Sequence, residues 1–161
     1  RLPFEDGAFD WVTSYQTLEH VQDPGKVLEE MIRVTRAGGG ILLQCPDYRS
    51  TFEPHYQLPW LPLMPRPLAA SYLRVLGRPR GGLDGINYVT QARIRRWLRA
   101  ISRDSGRTLV VTDWNRAAFD AALRRRGLPA WGAGFLGFRS LQYLKGLFRA
   151  ELSTHLVIRV G

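Results

Sequence analysis

Two short apolar runs, separated by a helical pattern, restrict the fold of this chain more than any other feature. The first run, at residues 9–12, follows an acidic turn that ends in Gly7, and glycine accepts the positive φ that such turns require. The second run, at residues 41–43, is closed by Pro46. Short apolar runs bounded by turn residues are typical of strands buried on both faces of a sheet.

The segment between these runs has the pattern of an amphipathic helix. Asp23 and Pro24 form a favourable start, because aspartate accepts free backbone N–H groups and proline at the first position has none to satisfy. The predicted helix extends from Pro24 to Arg36, and Gly38–Gly40 is expected to end it. Its apolar stripe consists of Val27, Leu28, Met31, Ile32 and Val34. Strand, helix and strand at these lengths predict one right-handed βαβ unit of a parallel sheet.

Three motifs in this region also carry a family resemblance. LPFEDGAFD occupies residues 2–10, LEHVQDP residues 18–24, and EMIRV residues 30–34, before the glycines. In this order and spacing they resemble the class I S-adenosylmethionine (SAM) dependent methyltransferases, and most closely the methyltransferase type 11 family. The resemblance implies an α/β, Rossmann-like fold with a mostly parallel sheet and a final antiparallel strand. Residues 10–15 would be the fourth strand of that fold and residues 41–45 the fifth.

The glycine-rich loop with which this family binds SAM does not occur in the sequence: no G-x-G-x-G follows a strand. The resemblance places that loop, and the acidic ribose ligand, before Arg1. Residues 1–161 are therefore expected to be the C-terminal part of one methyltransferase domain. We expect the cofactor site to be incomplete and the fragment to be inactive alone.

Residues 47–88 are expected to form an irregular lid or substrate-binding insertion. Frequent prolines prevent continuous regular structure, whereas the large apolar side chains are too many for a linker. A short helix at Pro67–Leu76 is predicted, with Leu68, Tyr72 and Val75 or Leu76 on its packed face. The alternative is an interfacial helix on a membrane, whose Arg66, Arg74 and Arg78 would meet lipid phosphates.

The remaining sequence predicts four more elements. Thr90 is expected to cap a helix that reaches Asp104, and residues 108–111 to form a buried strand. A helix at residues 117–126 is stopped by Gly127, and a short helix is expected near residues 139–148. His155–Val160 would be the last strand, antiparallel to its neighbour, as the resembled fold requires.

The cofactor residues are expected at the end of the first strand. Ligands of open parallel sheets bind at the carboxyl ends of the strands. By resemblance to the family, Ser14, Tyr15 and Gln16 would flank the methionine part of SAM, and His20 would lie in the loop beside it.

The acceptor residues are expected around the second strand end and the insertion. Asp47 and Tyr48 follow the second strand, Tyr56 lies in the insertion, and Glu19 precedes His20. His55 is the candidate catalytic base or acceptor-orienting group, because imidazole titrates near neutral pH. Gln16, Glu19 and His20 could converge on one helical turn, but glutamine in place of a carboxylate argues against a metal, and no metal is expected.

The net charge and the composition limit the classes of partner that this chain could bind. The net charge is +9, divided as −3 up to residue 50 and +12 beyond it. The basic half could attract nucleic acid, anionic lipid or a phosphorylated substrate, or could be a solvated surface. Its arginine runs lack the interleaved aromatic residues of a base-stacking surface, which argues against nucleic acid. The chain has a single cysteine, Cys45, which excludes an internal disulfide. We expect a cytoplasmic enzyme, with peripheral membrane contact as an option.

Three functions remain open from the sequence. The first is SAM-dependent methyl transfer to a small-molecule or lipid- or glycan-linked acceptor. The second is a degenerate, non-catalytic Rossmann-like module for protein interaction or membrane contact. The third, an NAD-dependent oxidoreductase, is disfavoured because no Tyr-x-x-x-Lys motif is present.

Overall fold

The computed structural model describes residues 1–127, Gly137, Ser140 and 153–161. Its elements follow the chain as β1 (Phe9–Tyr15), α1 (Pro24–Val34), β2 (Thr35–Pro46), β3 (Phe52–Glu53), β4 (Leu58–Pro59), α2 (Arg66–Val75), α3 (Gly81–Asp84), α4 (Gln91–Ser105), β5 (Leu109–Asp113), α5 (Trp114–Arg125) and β6 (Ser153–Val160). The short helix predicted near residues 139–148 falls on residues outside the described ranges, apart from Ser140.

Four strands of the described residues form the main sheet, in the order β1-β2-β6-β5. β1 and β2 pair in parallel, and β6 is antiparallel to both β2 and β5. β1, β2 and β5 therefore run in one direction, and β6 is inserted between two of them in the opposite direction. This confirms the predicted α/β fold with a mostly parallel sheet and a final antiparallel strand.

The two long helices begin where the sequence predicts. The Asp23 carboxylate accepts the backbone N–H of Lys26, and the Thr90 hydroxyl accepts that of Arg93. Both helices pack on one face of the sheet. The buried side chains of that layer are Leu18, Leu28, Met31, Ile32, Ile41, Leu43, Cys45, Val89, Ile94, Leu98, Leu156, Ile158 and Val160.

The prediction that Gly38–Gly40 ends α1 was wrong. The helix ends at Val34, and the glycines lie within β2, where the register against β1 shifts between Phe9 and Trp11. Glycine is needed there for close approach. A Cβ on Gly39 would lie 2.6 Å from the Asp10 carbonyl oxygen, and one on Gly40 would lie 2.5 Å from the Trp11 ring.

Residues 47–88, here called the insertion, contain the β3–β4 hairpin, α2 and α3. The insertion has a hydrophobic cluster of its own, consisting of Trp60, Met64, Ala69, Ala70, Leu73 and Leu83. The packed face predicted for α2 was right at Tyr72, which packs against this cluster. It was wrong elsewhere, because Ala69, Ala70 and Leu73 are buried, whereas Leu68, Val75 and Leu76 are exposed. The buried face of α2 packs with Trp60, Met64 and Leu83 in this cluster.

None of the helices in the described ranges has the length and apolar character that crossing a membrane requires.

Candidate functional site

The carboxyl ends of β1 and β2 meet at one edge of the sheet. Tyr15 pairs with Gln44, and the backbone N–H of Gln16 donates to the Gln44 carbonyl at 2.9 Å. Gln16 has a φ of +50°, a strained conformation for a side chain of this kind and one that occurs often at ligand sites. Ser14 is buried and Tyr15 is 67% exposed. Three of the four residues predicted for the cofactor therefore lie together at the strand end.

The loop after β1 is fastened to the end of the insertion. His20 N–H donates to the Thr17 carbonyl, and the backbone N–H of Asn87 donates to the Glu19 carbonyl at 2.6 Å. The Asn87 side-chain amide also donates to the Val21 carbonyl. These bonds hold Glu19 with its side chain fully buried, while about half of the His20 side chain remains accessible.

Glu53 organises the polar groups at the start of the insertion. Its carboxylate accepts the Tyr48 hydroxyl at 3.2 Å, the His55 Nδ1 at 2.7 Å and the backbone N–H of Tyr56 at 2.7 Å. The Glu53 side chain is 2% exposed and that of His55 is 26% exposed. A buried carboxylate thus holds a partly exposed imidazole.

The proton positions follow from this arrangement. Burial first, and then the charge of Glu53, raise the pKa of Tyr48 far above its ordinary value, so the phenol keeps its proton and donates it. A carboxylate can only accept, so Nδ1 of His55 carries a proton, and whenever the ring is neutral its lone pair is on Nε2. That Nε2 lies 3.2 Å from Nε2 of His20. The two rings meet edge to face, with centroids 5.0 Å apart.

Asp47 lies close to this site, but its carboxylate accepts hydrogen bonds from other groups of the protein. It is 2% exposed. Its carboxylate accepts the backbone N–H and guanidinium of Arg49, the backbone N–H of Gln91 at the start of α4, and the Thr154 hydroxyl of β6 at 3.4 Å. Asp47 therefore ties the end of β2 to α4 and β6, and its role toward a substrate stays a prediction.

The structure brings Glu19, His20, His55 and Tyr48 together, and it places Tyr56 next to them through Glu53. Tyr48 is buried and stacks on Tyr88, with ring centroids 4.7 Å apart, so a direct substrate contact by Tyr48 stays a prediction as well. Sequence reasoning missed Glu53 and Asn87. The signal for Glu53 was its position two residues before His55 in the sequence FEPHY, which lets a turn bring both side chains together.

Comparisons with known proteins agree with the motifs. The family model described as a methyltransferase domain matches residues 1–43. A probable S-adenosylmethionine-dependent methyltransferase of Mycolicibacterium smegmatis is 37% identical over 76 residues, which are 47% of this chain and 29% of that protein. Norajmaline N-methyltransferase of Rauvolfia serpentina is 48% identical over 50 residues, which are 31% of this chain and 17% of that protein. The matches span less than a third of the length of either relative.

Among solved structures, that of the [4+2]-cyclase SpnF matches 99% of this chain and 53% of its own, with a TM-score of 0.48 and 17% identity. A likeness at that level is too low to support a functional argument. The motifs, the sheet topology and the sequence relatives agree without it. The first 43 residues match a methyltransferase domain model, and this part of the chain is similar in sequence to S-adenosylmethionine-dependent methyltransferases.

Proposed function

We propose that this chain belongs to an enzyme that uses SAM to methylate a small-molecule acceptor or a lipid- or glycan-linked one. The observation that carries the proposal is the hydrogen-bonded series Tyr48–Glu53–His55–His20 beside the shared carboxyl ends of β1 and β2. It sets an oriented imidazole next to the edge where a parallel sheet binds its ligand.

The residues at the end of β1 fit one side of the cofactor. The buried hydroxyl of Ser14 has no hydrogen-bond partner among the described residues, and Gln16 holds a strained conformation at the same edge. A bound ligand would supply the polar partner that a buried hydroxyl otherwise lacks. Ser14, Tyr15 and Gln16 would hold SAM on this side, with His20 between it and the acceptor.

SAM would supply a methyl group that its sulfonium already activates, so the chain has to position the acceptor more than to activate the donor. His55 is placed to orient an acceptor hydroxyl or to accept its proton at Nε2. Glu53 positions the ring by holding Nδ1, and Tyr48 in turn holds Glu53. The insertion would cover the acceptor as a lid, with Tyr56 on its inner side.

Calorimetric titration of SAM and S-adenosylhomocysteine tests the proposal. We expect both to bind the gene product that contains this chain, and to bind residues 1–161 alone weakly, since no G-x-G-x-G follows the first strand of this sequence. Tyr15→Ala, at a side chain 67% exposed, should weaken binding about 10-fold, whereas Val75→Ala, at 84% exposed, should not. Absence of binding to the gene product would overturn the proposal, and tight binding to residues 1–161 alone would show that other residues hold the cofactor.

The outer face of α2 favours a second function, contact with an anionic membrane surface. Leu68, Val75 and Leu76 are exposed at helical spacing, and Arg74 and Arg78 are exposed beside them. This combination suits a helix that lies in the lipid interface. Arg66, which was expected to meet phosphates as well, instead donates to the Leu83 and Ile86 carbonyls within the insertion.

Sedimentation with lipid vesicles measures this contact. Binding to vesicles rich in phosphatidylglycerol should fall at least about 30-fold in the double variant Arg74→Glu and Arg78→Glu, because each basic residue near the surface contributes about 1 kcal/mol. The double variant Arg124→Glu and Arg125→Glu makes the same change of charge at the end of α5 and should leave binding unchanged. Equal losses in both variants, or equal binding to neutral vesicles, would contradict a specific role for α2.

A further inference from the structure

Three potential metal ligands converge between the loop after β1 and the insertion. Glu19, His20 and His55 each place one ligand atom so that all three atoms lie within 4.8 Å of one another. Glu19 and His20 come from the strand-end loop, and His55 comes from 35 residues further along the chain. The cluster therefore depends on the tertiary fold and does not follow from neighbours along one helix.

The spacing of the two imidazoles matches what one metal ion requires. Their Nε2 atoms lie 3.2 Å apart. Two nitrogens at about 2.05 Å from a tetrahedral zinc ion are separated by about 3.3 Å. The third ligand atom, Glu19 Oε1, lies 3.9 Å from His20 Nε2. All three ligand atoms lie within 4.8 Å of one another, so their convergence on a common ion requires shifts on the order of 1 Å.

The hydrogen bond from His55 to Glu53 orients the His55 ring as a metal ligand. Glu53 accepts a hydrogen bond from Nδ1 at 2.7 Å, so the lone pair of the neutral ring is on Nε2, the atom that faces His20. A carboxylate on the far nitrogen of a metal-binding histidine fixes the tautomer and raises the basicity of the ligand. The buried Glu19 carboxyl group lies on the other side, 3.9 Å from Nε2 of His20.

We propose that Glu19, His20 and His55 bind a divalent transition-metal ion of the zinc class. Two imidazoles with one carboxylate favour Zn²⁺ over Mg²⁺ or Ca²⁺, which prefer oxygen ligands. Three protein ligands leave a position open for an oxygen atom of an acceptor or of water, as in catalytic zinc sites. This site is contrary to the expectation from the sequence that no metal binds here.

The role of such an ion rests on the proposed methyl transfer, although the existence of the site does not. An acceptor hydroxyl bound at the open position would lose its proton to solvent more readily, because the ion stabilises the alkoxide oxygen. His55 would then orient the acceptor through the ion instead of accepting its proton at Nε2.

Titration of ZnCl₂ into the full chain, without SAM or acceptor, tests the site. We expect binding at a single site that His20→Ala and His55→Ala each weaken at least about 10-fold. The chain has three histidines. His155→Ala is the matched control, because the His155 ring lies on β6 beside Asn115, with 3.0 Å between Nδ1 and the amide nitrogen. Binding that His155→Ala weakens equally, or no binding at all, would overturn the proposal.

NMR of the histidine rings tests the site without any variant, so the result does not depend on whether an alanine variant folds. In the unmodified chain, Zn²⁺ should shift the ring signals of His20 and His55 and leave those of His155 unchanged, whereas Mg²⁺ at equal concentration should shift none of them. Shifts confined to His155 would contradict the site. Because neither SAM nor acceptor is present, this experiment can fail while the methyltransferase proposal stands, and the reverse also holds.

Discussion

His55→Ala is expected to lower the rate of methyl transfer by about 10²- to 10⁴-fold, the range that a positioned acid–base group contributes. The substitution removes the Nε2 atom that Glu53 orients and that faces His20. The measurement is formation of S-adenosylhomocysteine by the gene product at saturating acceptor. His155→Ala serves as the control, since that ring contacts Asn115 away from the site, and it should retain the unmodified rate. Equal rates for His55→Ala and His155→Ala would exclude a role for His55 in the reaction.

The Glu53→Gln variant keeps the His55 side chain and removes the carboxylate that orients it. It therefore tests whether the orientation of His55 matters for the reaction. Glutamine keeps the shape of Glu53 but loses the charge that holds Nδ1 of His55 and the Tyr48 hydroxyl. A positioning role predicts a lower kcat with a nearly unchanged KM for the acceptor, because the loss falls on the reaction step and not on binding. A change confined to thermal stability, with kcat preserved, would show that Glu53 only supports the fold of the insertion.

The order of strands and helices could be predicted from the sequence because local signals and buried runs agree. Asp23 and Thr90 are N-caps that act within three residues of the helices they begin, so no tertiary information was needed to find them. Gly38–Gly40 misled the same reasoning. Their role is close approach to Asp10 and Trp11 of the neighbouring strand, and contacts across a sheet are absent from local patterns.

The positions of the candidate site residues were predictable at the strand ends and not between segments. Ser14, Tyr15 and Gln16 could be placed because strand polarity fixes which end opens onto a ligand. The contact of His20 with His55 joins residues 35 positions apart, and it depends on how the insertion folds back, a geometry that an irregular, proline-rich segment does not reveal. Asp47 lies at the end of β2, as predicted, but its hydrogen bonds to Gln91 and Thr154, which are distant in sequence, were not predictable. Its contact with a ligand stays a prediction.

Gly39→Ala is expected to destabilise the fold by about 3 kcal/mol, at the upper end of the range for overpacked interiors. The added Cβ would lie 2.6 Å from the Asp10 carbonyl oxygen and 2.9 Å from that of Arg36. Both are backbone atoms, so no side-chain rotation relieves the contact. Relief requires β1 and β2 to separate at the register shift, where Trp11 pairs with Gly40. Since the same pairing continues to Tyr15 and Gln44, the substitution strains the sheet edge on which the candidate site depends.

Chemical denaturation measures this loss as a lower midpoint at an unchanged m-value. Gly85→Ala is the matched control, because Gly85 has a φ of −87° and nothing lies within 4 Å of an added Cβ. Alanine there should be neutral or slightly stabilising, since it restricts only the unfolded chain. If Gly39→Ala were as stable as Gly85→Ala, β1 and β2 could not approach as closely as the parallel pairing requires. The shared edge that brings Tyr15 near the end of β2 would then lose its structural basis.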